Sequence, residues 1–164
     1  MRPIHLSKAD AFVWRKFREK FPLALSQIEF DKQLGCFCAP GTCDTPEQDN
    51  RWNNLTRRRA DVCAHEGGRA WVIELKPNAK PSSLGQVKCY ALLLNRDAPP
   101  GPLWEPWLIT TTLDEDTLYC AKALGVRVTK VDLYASEQDE LAALIRPPPA
   151  RKSTPEEVPR PPHD

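Results

Sequence analysis

Several things are missing from this chain of 164 residues or are scarce in it. No charged-then-apolar leader follows Met1 and no uninterrupted apolar run reaches membrane length, so neither secretion nor membrane spanning is supported and a cytosolic protein is expected. The formal net charge is only +1, which excludes a global field drawing the protein onto nucleic acid; any such contact must come from local charge clusters. No internal repeat is present, which excludes a repeat array. Glycine is sparse, 7 against 17 prolines, and the prolines are bunched. There are 6 cysteines, but without a leader, and in a chain long enough to build its own core, reduced thiols are the expectation.

What is present fits one α/β domain over 1–145 and a short tail. Ser7 and Asp10 have capping-box spacing, and Val13, Phe17 and Phe21 recur at helical intervals, which predicts a helix over 8–20. Leu23, Leu25, Ile28 and Leu34 suggest a second helix after Pro22, ended by Gly35. Residues 36–54 are rich in turn formers and read as a long cysteine-containing loop. Two strands, 60–65 and 70–76, flank Gly67-Gly68, a dipeptide suited to a tight hairpin turn. A helix from about 81 to 95, a proline-rich connector over 98–106, and a buried strand over 107–112 follow. A helix over 114–124, a strand around Val126, Val128 and Val131, and a last helix over 137–145 complete the domain. The tail, 146–164, is proline-rich and charged, as expected of an extended segment or a site for a protein partner.

The hairpin carries the chemistry. With Gly67-Gly68 as the turn, Glu66 faces Arg69, and counting back places Asp61 opposite Glu74 and Arg59 opposite Lys76 on one face. Val62, Ala64, Trp71, Ile73 and Leu75 share the other face, which is a core face. Opposed carboxylates, with Cβ atoms roughly 4.5–5.5 Å apart, repel one another unless a cation lies between them. Two carboxylates, waters and a backbone carbonyl, that of Leu75, suit Mg²⁺ or Mn²⁺. Such a site would hydrolyse phosphodiesters, with Lys76 orienting water or stabilising charge on phosphorus.

Asp61, twelve residues, then Glu74-Leu75-Lys76 resembles the PD-(D/E)xK nuclease superfamily, with Ala60 where the name-giving proline would stand. Gln86-Val87-Lys88-Cys89-Tyr90 is similar to the Q-x-x-x-Y element of its recombination-exonuclease-like branch. The resemblance implies a restriction-endonuclease-like mixed β-sheet core of αβββαβ type, flanked by helices. It implies an Mg²⁺- or Mn²⁺-dependent deoxyribonuclease with Asp61, Glu74 and Lys76 catalytic, and Asp61, Glu74 and Leu75 holding the metal. Gln86 and Tyr90 would contact nucleic acid or hold the lysine. Members often add an acid from the first helix, for which Glu19 is the candidate and Glu29 the alternative.

Arg57, Arg58 and Arg59 enter this region, and Lys80 and Lys88 lie near its far rim, where they would contact DNA phosphates and set affinity without base preference. Cys36, Cys38 and Cys43 share one loop, but their spacing is not a usual zinc spacing. Trp71 and Trp107 fit core positions, whereas Trp52 and Trp104 lie in loops and are open to base stacking. The rival reading is a non-catalytic nuclease-fold adaptor of a phage particle or nucleoprotein machine, held by the tail. A nuclease mounted on such an assembly would combine the two.

Overall fold

A computed structural model of the chain describes residues 6–35, 58–97 and 100–145. The 36–54 loop with its cysteines, Arg57, Trp52 and the 146–164 tail lie outside the described residues.

Helix α1 (Lys8–Lys20) starts as its sequence predicts: the Ser7 hydroxyl accepts the Asp10 N–H at 3.0 Å and donates to the Asp10 carboxylate at 2.6 Å. It buries Phe12, Val13 and Phe17. The helix expected over 23–34 does not form. That segment leaves α1 extended and becomes β1 (Ser26–Leu34), an edge strand antiparallel to β2 (Arg58–Glu66). Apolar spacing there imitated a helix, but pairing with a strand some thirty positions away supplies the backbone partners. Gln27 and Asp31, at φ 49 and 56, also adopt left-handed conformations that a helix cannot contain. Gly35, at φ 68, ends a strand and not a helix.

β2 turns into β3 (Arg69–Asn78) through Gly67 and Gly68 at φ 54 and 84, the positive values a two-residue hairpin turn requires. The register is the expected one, Glu66↔Arg69 through Val62↔Ile73. Helix α2 (Pro81–Asp97) returns along the sheet and buries Leu84, Val87, Tyr90, Ala91 and Leu94. β4 (Trp104–Thr112) lies parallel to β3, so it starts inside the expected connector and includes Pro106. β5 pairs with β4 only from Trp107 onward; Pro106 therefore sits where β4 has a single neighbour and a missing N–H is tolerated. Helix α3 (Glu115–Ala123), capped by Asp114, β5 (Arg127–Lys130) and helix α4 (Ala135–Ile145) finish the chain.

The mixed sheet has the order β1-β2-β3-β4-β5. Against one face α1 packs Val13 and Phe17 on Val62, Ala64, Trp71, Ile73, Leu75 and Trp107, which is the expected core face. Against the other, α2 and α3 cover Cys63, Val72 and Leu108. Both faces of the hairpin are therefore buried, and a charged residue on either must be explained.

Candidate active site

The β2–β3 ladder stops at Val62↔Ile73, one pair before Asp61 and Glu74. Had it continued, Leu75 would bond to Ala60; instead the Leu75 N–H donates to the Asp61 carboxylate at 2.8 Å. A side chain has taken over a ladder bond, which lets the strands part while keeping Asp61 against β3. The expected Arg59–Lys76 pairing is absent for the same reason: Arg59 opposes Gln33 of β1 and its guanidinium pairs with Asp31.

Glu74 projects from β3 into the protein with 0 % of its surface exposed. Lys76, two residues on, lies 2.7 Å from Glu74 Oε1. Oε1 thus has the Lys76 ammonium beside it, while Oε2 is buried with no hydrogen-bond partner. Burial raises the Glu74 pKa to about 8, with the negative charge of Asp61 adding to it and Lys76 opposing. Burial raises Asp61 to about 6, although the Leu75 N–H and Lys76 favour its charged form. Burial works against the charge of Lys76, but Glu74, Asp61 and Asp10 outweigh it and leave the pKa above the ordinary value. The cluster is thus short of positive charge. A solvated strand face would not have these properties.

These groups fit a divalent ion. Glu74 offers a buried oxygen with no partner, and Asp61 retains the oxygen that Leu75 does not use. Among the described residues no three His, Cys, Asp or Glu side chains form a ready-made metal cluster. Two carboxylates plus waters and a carbonyl match the partly hydrated binding of Mg²⁺.

Tyr90 and Gln86 stand one helical turn apart on α2, and the Gln86 amide donates to the Tyr90 hydroxyl at 2.9 Å. Burial raises the Tyr90 pKa, and the charges of Glu74 and Asp61 raise it further, while the bond from Gln86 opposes the rise. Glu19 is about half exposed and pairs with Lys16 on its own helix, while Glu29 pairs with Lys32 and its charge acts on Cys63. The α1 acid that acts on Asp61, Glu74 and Lys76 together is Asp10. From its spacing after Ser7, Asp10 reads as part of the capping box of α1. Nothing in the sequence separates that role from a second one, since a carboxylate at a helix N-terminus is already accounted for by capping and by the helix dipole.

Arg58 and Lys80 are exposed, while Lys88 reaches toward Gly125. Trp104 packs edge-on against His65 with centroids 5.2 Å apart, and Asn95 bonds its backbone on both sides, so it is fixed and not an open platform. Cys63 is buried and its thiol is pushed up to about 12 by burial, which makes it inert.

No protein-family model matches the chain, and no curated protein matches it. Solved structures do. The chain resembles a repair endonuclease from Pyrococcus abyssi at 17 % identity and TM-score 0.53, over 80 % of this chain and 50 % of that one. The fold is restriction-endonuclease-like. The chain spans half the length of that structure, and at this identity the likeness concerns the fold alone. Two weaker likenesses are to EndoMS in a complex with double-stranded DNA (18 % identity, TM-score 0.46, 80 % of this chain, 48 % of that) and to Can2 from Sulfobacillus thermosulfidooxidans bound to cyclic tetra-adenylate (12 %, 0.45, 83 %, 34 %).

Proposed function

We propose that this protein is a metal-dependent nuclease that hydrolyses DNA phosphodiester bonds, with Asp61, Glu74 and Lys76 as its catalytic groups. The observation that carries the reading is Glu74: a fully buried carboxylate whose Oε2 has no hydrogen-bond partner, beside a second carboxylate and a lysine, where two strands part. A buried charge so poorly compensated is costly to maintain and signals a site that awaits a cation. Asp61 and Glu74 would hold Mg²⁺ or Mn²⁺ together with the Leu75 carbonyl, and Asp10 replaces Glu19 as the helix acid acting through water. Bound there, such an ion supplies a water of lowered pKa and neutralises phosphate charge.

The chain's own residues do the rest. Lys76, positive throughout, orients the attacking water or the pentavalent phosphorus. Gln86 and Tyr90 form the α2 wall, consistent with the Q-x-x-x-Y branch, while Arg58, Lys80 and Lys88 offer charge to the DNA backbone. The similar repair endonuclease supports the reading at the level of fold. Purified protein is expected to degrade DNA with Mg²⁺ and to stop when the ion is chelated. Lys76→Ala should lose at least about a hundredfold in rate while keeping the wild-type circular-dichroism spectrum; undiminished cleavage by it sinks the assignment.

A further inference from the structure

Three consecutive residues of β4, Thr110, Thr111 and Thr112, bring their hydroxyls to a single carbonyl oxygen, that of Pro77, at 3.4, 2.6 and 3.3 Å. Side chains alternate along a strand, so Thr111 approaches from the face opposite to the other two, and the carbonyl is held from both sides. Each hydroxyl has one proton to give. Thr110 has a nearer acceptor in the Thr112 carbonyl at 2.9 Å, and its oxygen accepts the Ala79 N–H at 3.2 Å, which leaves Thr111 as the principal donor to Pro77.

Pro77 directly follows Lys76. Preceding a proline, Lys76 is restricted to extended backbone, and on its other side the Leu75 N–H is held by Asp61. The peptide carrying Lys76 is therefore fixed at both ends, by a catalytic carboxylate before it and by β4 after it. A lysine ammonium rides on four rotatable carbons, so the direction in which that stem leaves the strand governs where the charge can go.

We propose that Thr111 is a positioning residue for Lys76: through the Pro77 carbonyl, its hydroxyl sets the path by which Lys76 reaches Glu74. The role in turnover rests on the nuclease reading; the positioning itself does not. The test uses the full chain with Thr111→Val, which keeps the branched shape, and Thr111→Ser, which keeps the hydroxyl. Thr111→Ala stands in if valine disturbs folding. Steady-state DNA cleavage with Mg²⁺ is measured beside the acylation rate of each lysine by an amine-directed reagent, read by peptide mass spectrometry without metal.

In Thr111→Val, kcat is expected to fall about ten- to a hundredfold with KM within about twofold. Lys76 should acylate several-fold faster while the other lysines keep their rates, and Thr111→Ser should behave as wild type in both assays. Wild-type Lys76 labelling in Thr111→Val overturns the proposal, as does a loss of rate that serine does not rescue. If wild type cleaves no DNA but Lys76 labelling still rises in Thr111→Val, the nuclease reading fails and the positioning stands.

Discussion

The two ends of the β2–β3 hairpin handle charge in opposite ways. At the turn end the ladder is unbroken, and Arg127 lies 3.8 Å from the Trp107 ring centroid and 4.8 Å from that of Trp71 while its guanidinium pairs with Glu66 at 3.1 Å. Both ionic partners there keep access to water, and the aromatic faces add attraction, so the contact ties β5 to β2 across the strands between them. At the other end the ladder stops, Asp31 is held in a left-handed conformation, and Glu74 is buried against a lysine that meets only one of its oxygens. One end is built to be stable and the other keeps a charge it cannot satisfy alone. That difference within a single hairpin sets its open end apart from its turn end.

Neutralising Glu74 should separate the two ends most sharply. Glu74→Gln is expected to lower cleavage at least about a hundredfold and yet raise the melting temperature of metal-free protein near pH 8, because a buried charge is removed. The pH dependence follows from its raised pKa. A group that binds its proton more tightly in the folded state contributes stability at low pH, and loses that contribution as pH rises from the ordinary carboxylate value through about 8. Metal-free wild type should therefore melt at progressively lower temperature over this range in calorimetry, and Glu74→Gln should flatten the decline. An unchanged slope would mean that Glu74 is not the titrating group.

A smaller effect distinguishes the two helix acids. Asp10→Asn should slow cleavage about tenfold, whereas Glu19→Gln should leave it unchanged, as measured by initial rates at saturating Mg²⁺; the reverse order would restore Glu19. At the turn end, Arg127→Ala should cost about 1–2 kcal/mol of stability in urea unfolding with no loss of cleavage rate. A loss of rate there would break the division between the ends. Smallest of all, Gly68→Ala, at φ 84, should cost about 1 kcal/mol through strain in the turn alone.

How much of this was legible depended on how local the cause was. The cap of α1 at Ser7 and Asp10, the Gly67-Gly68 turn and the apolar stripe of α2 are set by residues within a few positions of one another, and each formed as the sequence implies. β1 was missed because its partners lie on β2, beyond a long connection, and because Leu23, Leu25, Ile28 and Leu34 also fit a helix. Counting across the turn brought Asp61 to Glu74, but where the ladder ends depends on the Asp61 side chain replacing a backbone partner, which counting cannot see. Asp10 was hidden by already having a role. The depth of Glu74 was hidden too, since only the packing of helices on both faces buries it.

The open end of the hairpin is expected to hold a divalent ion through Glu74. Calorimetric titration of metal-free protein with Mn²⁺, wild type beside Glu74→Gln, tests it directly and needs no turnover. Wild type is expected to bind the ion with an affinity that rises as the pH approaches the raised value of Glu74, and Glu74→Gln to bind at least about tenfold more weakly. Equal binding by the two proteins, or none by wild type, would contradict the account.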